Sequence, residues 1–403
     1  MASWFVLAAT LLIQIVVANM VQGIPTLAPF IKEDLNLSQS QVGLFTSYIF
    51  AGFFLGSALS GWLTDRLGSR NVLIGGATVA AILILLVGRD VDNFPLLIAL
   101  LVSFGVMASA ATPAGAQAVA MAFDRQTRGF AMGLRQMGVP LGGALAAATL
   151  PAVAVAYSWR VAASVAGVIA LIGALLALIL YNRPQVRTLT RSRSKHGARP
   201  AGSLWRRDVV VACAAGTTLP IGQFIMVTYL LLYLRDSLGV PELRGALLLT
   251  LAQLVGAVSR VSLAALSDRL AGKRKPALLA VVGMTGVSAL IISSLPTTTP
   301  FVLVALVILL YAACALGWQG LYFTLLTEVS DDGWEGRVVG LGTTFTSIGI
   351  MSGPPLFGLI VDITQSYRIA WLALVGVVAL GMLLLVSVRE RPRENLPAGV
   401  STS

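Results

Sequence analysis

Long apolar runs, each ended by a short polar interruption, fill the chain almost from end to end. A membrane-spanning helix needs roughly 20 mostly apolar residues, and twelve runs reach that scale. They occupy residues 5–30, 42–63, 72–88, 95–122, 130–155 and 161–181, then 208–234, 243–266, 277–295, 300–327, 338–361 and 369–388. The first is apolar from Ser3 onward, carries no basic n-region and is long enough to span, so it reads as a helix rather than a cleaved signal peptide. One stretch breaks the rhythm. Between Tyr181 and Arg207, eight basic residues are interspersed with Ser, Gly and Pro, the composition of a flexible linker. The pattern predicts an all-α membrane protein: twelve transmembrane helices in two six-helix, pseudo-symmetric halves. The halves are residues 1–181 and 208–388, joined by a cytoplasmic basic linker at 182–207 and followed by a cytoplasmic tail at 389–403.

Composition removes the soluble alternatives. The chain is 57% hydrophobic and 11% charged, against about 25% charged residues in soluble domains. The net charge of +11 resembles a nucleic-acid footprint until the basic residues are placed. With both termini cytoplasmic, 20 of the 28 Lys and Arg fall in inner loops and the tail, six in outer loops and two within spans. That asymmetry is the positive-inside signature of an inner-membrane protein. The basic linker lacks interleaved aromatics, so no nucleic-acid partner is expected, and its His196 reads as a solvated loop residue. Cys213 and Cys314 sit inside apolar runs as small core residues. No cluster of His, Cys or acids forms a catalytic centre, so neither an enzyme, a metal site nor a cofactor is expected. The expected partners are the lipid bilayer and a small solute, and the expected state is a monomer.

A short charged turn then organises the halves. Gly61, Leu63, Asp65, Arg66, Gly68 and Arg70 lie between the second and third runs. The core Leu63-Thr64-Asp65-Arg66-Leu67 returns as Leu266-Ser267-Asp268-Arg269-Leu270 at an offset of 203, in a chain of 403. That is an internal repeat of half the protein. Two six-helix halves, a basic central loop and this turn together resemble the major facilitator superfamily. The resemblance covers the whole chain and implies a secondary transporter whose substrate binds between halves that rock to give alternating access. It implies a gating role for Gly61, Asp65, Arg66, Gly68 and Arg70, and for Asp268 and Arg269 in the second copy. Asp65 would cap a neighbouring helix end in one state and release it in the other. Small residues and prolines in residues 133–143 and 340–358 are expected to make close, bending contacts between the halves.

Charge inside the spans narrows the solute. All 17 acidic residues fall in loops or at helix ends, whereas proton-coupled drug and sugar carriers of the family usually place one deep in the membrane. Two arginines do lie within spans. Arg135 stands about 10 Å inward of Arg128, and Arg260 about 12 Å above Asp268, by helical rise. A mid-membrane arginine costs roughly 2.5–3.5 kcal/mol on insertion scales and therefore faces a polar cavity. With no acid at equal depth, the substrate itself is the expected counter-ion, since a guanidinium grips carboxylate oxygens through two donors. Gln14, Asn19, Gln22, Gln117, Gln223, Tyr311, Trp318, Gln319 and Tyr322 are further candidate substrate ligands, with Thr112, Thr218 and Gln253 beside them. The reading is transport of a small anion, most simply an organic carboxylate, coupled to a proton or exchanged for a second anion. The whole is similar to the cyanate, nitrate and monocarboxylate branches. It departs from nitrate porters in lacking a basic side chain in residues 42–63, and from monocarboxylate porters in lacking an acid near Arg260. Two alternatives stay open: Arg135 as a structural bond to the other half's turn, and efflux of hydrophobic compounds with both arginines snorkelling.

Overall fold

A computed structural model describes residues 2–91, 93–124, 127–181, 205–269, 274–331 and 334–389. Residues 182–204 and 390–403, which hold most of the expected linker, His196 and nearly all of the tail, lie outside the described residues. So do the side chains of Asp268 and Arg269.

Twelve helices are long and apolar enough to cross a bilayer. They are α1 (Ala2–Thr26), α2 (Gln39–Leu67), α3 (Ser69–Asp90), α4 (Phe94–Ala122), α5 (Arg128–Ala156), α6 (Trp159–Leu180), α7 (Arg207–Leu238), α8 (Glu242–Arg269), α9 (Arg274–Ser293), α10 (Phe301–Val329), α11 (Glu335–Thr364) and α12 (Tyr367–Ser387). No strand occurs among the described residues. Helices suit this solvent because every backbone N–H and C=O is satisfied within the segment.

Proline decides where three of the expected spans are interrupted, since it removes the N–H that its i−4 carbonyl would accept. The run expected at 5–30 is not one helix. α1 stops at Thr26, and a separate short helix, Ala28–Asp34, follows, because Pro29 has no N–H for the Pro25 carbonyl. α4 is jointed at Ser109–Ala110, where Pro113 offers nothing to Ser109. α5 is jointed at Met137, where Pro140 offers nothing to Gln136.

Exposed apolar side chains include a lipid-facing set on the outside of the bundle. On α6, Val161, Val168, Ile172, Leu175 and Ile179 are exposed at helical spacing, a face for lipid rather than water. The two halves meet along two seams, α2 against α11 and α5 against α8. Close contacts across the seams use fewer of the expected glycines than the sequence suggests. Gly43 lies against the backbone of Pro354 and Pro355, Gly358 against Gln39 and Tyr229, and Gly143 against Gln253. Gly142, Gly349 and Gly353 instead admit neighbours from their own half: Ile15, Thr217 and Ile221.

The face holding the start of α1 and the end of α12 is called the terminal face here, and the other the far face. The far face is shut. Asp362, two residues before the end of α11, accepts from the backbone N–H groups of Gln39 and Ser40 at the start of α2, both at 2.8 Å. A carboxylate at a helix N-terminus satisfies orphan donors and the positive end of the helix dipole together. Tyr229 donates to the Gln39 carbonyl at 2.6 Å, Gln39 Nε2 to the Tyr367 hydroxyl at 3.0 Å, and Tyr367 to Asp236 at 3.1 Å. Arg235 reaches Glu33 at 2.6 Å, but Glu33 is largely exposed, so this pair adds little. Beside this gate, the indole N–H of Trp159 and the guanidinium of Arg160 hold the Asp34 carboxyl below the usual carboxylate range.

Asp362→Ala strips the α2 N-terminus of both acceptor bonds. The expected effect is a loss of about 1–2 kcal/mol of far-face closure, on the scale of a lost helix cap. Spin-label distances between the α1–α2 and α11–α12 loops should lengthen and broaden. Unchanged distances would show that the Tyr229–Gln39–Tyr367 network closes the face without Asp362.

Candidate substrate cavity

Between the halves lies a cavity of about 620 Å³. Its far end is closed where Thr46 and Thr228 hydroxyls bond at 3.0 Å and Phe50 meets Phe224 edge-on at 4.9 Å. Its other walls include the terminal-face portions of four helices, with Phe54 and Ser57 of α2, Thr112 and Ala116 of α4, Gln319 and Phe323 of α10, and Thr343 and Ser347 of α11, beside residues of α1 and α5. The cavity therefore opens toward the terminal face.

Two kinds of surface line it. One is aromatic: Phe50, Phe53, Phe54, Phe224, Trp318 and Phe323. The other consists of amides and hydroxyls, including Gln14, Gln22, Gln136, Gln223, Ser109 and Thr346. No Asp, Glu, Lys or Arg lines the cavity among the described residues.

The two intramembrane arginines sit behind this lining. Arg135 is 2% exposed, and its Nη2 donates to Gln14 Oε1 at 2.7 Å and to the Ala111 carbonyl. Both partners belong to its own half, and most side chains of the other half's turn lie outside the described residues. Arg260 donates from Nε to the Leu316 carbonyl at 3.1 Å, while its buried Nη1 and Nη2 find no acceptor among the described residues. Leu316 lies two residues before cavity-lining Trp318, whose buried indole N–H is likewise unpartnered among those residues.

The remaining candidates divide. Gln14, Gln22, Gln223, Trp318 and Gln319 line the cavity. Tyr311 does not: its hydroxyl donates to the Gly222 carbonyl at 2.9 Å and ties α10 to α7. Tyr322 is fully buried, with its hydroxyl against Gly216. Asn19 is fully buried away from the lining. Gln117 donates to Asp65 at 3.3 Å, so it serves the gating turn rather than the cavity.

In that turn, Gly68 has φ +81° and carries the chain from α2 to α3 in a single residue, a conformation that favours glycine. The Arg66 guanidinium stacks 4.1 Å over the Trp62 ring. Gly61 has no neighbour within 4 Å of a notional Cβ. Of the aromatic wall the sequence pointed only to Trp318, because a Phe-rich stretch such as Phe50 to Phe54 reads equally as lipid-facing. Sequence reasoning also passed over the gate role of Asp362, whose signal is its place two residues before a helix end, as Asp65 stands two before the end of α2.

Twelve spans enclosing a cavity at the interface of two halves define a polytopic carrier. A model described as the Major Facilitator Superfamily matches residues 10–350, and the chain belongs to that superfamily. It is 28% identical to an uncharacterized MFS-type transporter of Mycobacterium tuberculosis, an alignment spanning all of this chain and 87% of that protein. It is 26% identical to the hexuronate transporter of Bacillus subtilis (92% of this chain, 91% of that one). It is also 26% identical to the multidrug resistance protein MdtG of Citrobacter koseri (92% and 91%). In fold it is similar to a crystal structure of a bacterial homolog to the human lysosomal transporter Spinster. That match has a TM-score of 0.75 at 16% identity and covers 94% of this chain and 95% of the other. The protein is a multi-pass membrane transporter and not an enzyme.

Gly115 sets the position of Arg135, since a Cβ there would fall within 2.8 Å of the guanidinium carbon. Gly115→Val should push Arg135 off Gln14 and Ala111 and cost about 2–3 kcal/mol, the scale of a lost charged hydrogen bond. Thermal unfolding of the purified protein should show the lower midpoint. An unshifted midpoint would mean that Arg135 finds equal partners elsewhere.

Proposed function

We propose that this transporter carries a small organic anion, a carboxylate, through the cavity by alternating access, with the terminal face in the cytoplasm of a cell inner membrane. One observation carries the reading. Around the cavity, donors and positive charge exceed acceptors. Among the described residues, Arg260 keeps two unpartnered amino groups, Arg135 has only neutral acceptors, and no acid lines the cavity. The balance is not one-sided: Gln223 Oε1 is also buried without a donor. A buried guanidinium left without a counter-charge is costly, and a carboxylate is the group whose two oxygens match it. The hexuronate carrier among the relatives handles such an anion, by its name. The positive-inside distribution supports the orientation, which makes the structure an inward-open form. With no acid in the lining, coupling runs through the solute itself, as a proton travelling with the anion or as exchange for a second anion. The gating turn, Gly61 to Arg70 with its copy at Asp268 and Arg269, controls closure of the cytoplasmic side.

The aromatic wall favours a second reading, export of hydrophobic compounds, in keeping with the MdtG relative. The two separate in one assay. In proteoliposomes, the anion reading expects uptake of a labelled carboxylate that competing carboxylates inhibit and cationic dyes do not. Arg260→Ala should lower that uptake at least tenfold while Arg260→Lys keeps part of it. Dye transport that is indifferent to Arg260 would overturn the anion reading in favour of export.

A further inference from the structure

Hydrogen-bond bookkeeping fixes which way the amides around the cavity point. A guanidinium has donors and no acceptor. The Arg135 Nη2 contact at 2.7 Å therefore turns Gln14 Oε1 inward and leaves Gln14 Nε2 as a donor. Gln14 is 8% exposed and lines the cavity, and its Nε2 meets no acceptor among the described residues. Gln22, eight residues along the same helix, is the opposite case. Its Nε2 donates to the Val139 carbonyl at 2.8 Å and its Oε1 accepts from Gln253 Nε2, so both of its polar atoms are engaged by the protein.

The Arg135–Gln14 pair occupies a place made for it. Gly115 of α4 lies under the guanidinium, and a Cβ at Gly138, just past the α5 joint, would fall 2.9 Å from Gln14 Cβ and Cγ. A side chain at either glycine would move one partner. Gln14 and the Ala111 carbonyl are acceptors supplied by the protein, so pairing of the buried charge does not depend on a solute. That suits a carrier, which has to release what it binds. A direct bond from Arg135 to the solute would require the buried guanidinium to leave these internal acceptors. An amide polarised by the same charge attracts a carboxylate more weakly and lets it go.

We infer that Gln14 Nε2 is the donor that receives the carboxylate, that Arg135 is a positioning residue acting through it, and that the preferred solute is a monocarboxylate with an apolar, ring-sized body. This rests on the anion reading above and names the class of anion. The Gln14–Arg135 unit offers one charge-backed donor, which suits one carboxylate. Phe50, Phe53, Phe224, Trp318 and Phe323, in a cavity of about 620 Å³, provide apolar and aromatic surface for the rest of the molecule. A polyhydroxylated acid would leave its hydroxyls against those rings.

The experiment compares binding of 3-phenylpropionate, 3-phenylpropanamide and glucuronate to the purified full chain, with a wider panel of monocarboxylates alongside. The wild type should prefer the acid to its amide at least tenfold, and 3-phenylpropionate to glucuronate by a similar factor. Gln14→Met, which keeps length but cannot donate, should bring the acid-to-amide ratio near one, as should Arg135→Met. The double variant should lose no more than either single, because the two act in series. Gln14→Glu, able to pair with Arg135 and so to keep the fold, should reject the acid and retain the amide. A merely structural Arg135 would change both affinities together and leave the ratio intact. If Gln14→Met keeps the ratio while Arg260→Ala abolishes it, the anion reading stands and the role of Gln14 falls. If glucuronate binds as well as 3-phenylpropionate, the apolar body falls. If no carboxylate of the panel outbinds its amide, both readings fall together.

Discussion

A bilayer offers no hydrogen-bond partner, so each polar atom inside this bundle must be matched by another atom of the chain or of the solute. The backbone meets the demand by staying helical, and the polar side chains meet it by pairing. Most threonines and serines in the spans turn back onto the carbonyl three or four residues earlier, as Thr26, Thr64 and Thr285 do. Three prolines, Pro29, Pro113 and Pro140, withdraw an N–H where a joint opens, while Pro151, Pro220, Pro354 and Pro355 lie inside stretches of unbroken helix. Two of those joints, at Ser109–Ala110 and at Met137, flank the residues that hold Arg135. The charge sits where the helices could not continue straight.

The same demand shapes closure. α2 and α11 run antiparallel, and each ends two residues after an aspartate. On the far face, Asp362 caps the start of α2 through two backbone N–H groups. On the terminal face, Asp65 accepts from Gln117 of its own half, and the α2 and α11 ends form separate walls of the cavity. At the start of α2 the partner half's Asp362 adds to the cap that Ser38 already provides. Such caps tie the orientation of the halves to local hydrogen bonds at each end of one helix pair.

The cavity shows how a positive charge can be presented without being exposed. Arg135 is buried, yet its field reaches the lining through an amide whose orientation it dictates. Arg260 is held at one nitrogen by the Leu316 carbonyl while its other two face no acceptor among the described residues. Neither guanidinium is part of the lining, so the surface a solute meets is neutral and largely apolar, with six aromatic rings in it. The resulting site combines electrostatic attraction with an apolar contact surface, which suits an anion that is mostly hydrocarbon.

Length and polarity of the apolar runs determined the number of helices, their halves and the family turn, because spanning a bilayer is a local requirement that each segment meets on its own. The repeat of Leu-x-Asp-Arg-Leu likewise needs no neighbour to be legible. Which polar residues meet the solute is a different matter, since helix rotation and pairing are set by partners hundreds of positions away. Gln14 and Gln22 are indistinguishable in the sequence; only Arg135 on one side and Gln253 with Val139 on the other make the first a donor and the second a tie. Tyr311 and Gln117 are polar residues on spans like the rest, yet packing assigns one to a helix–helix bond and the other to the turn. Asp362 reads as a loop-end acid until α2 is brought against it. A one-dimensional pattern records how greasy a segment is, whereas hydrogen-bond partners exist only once the helices have packed.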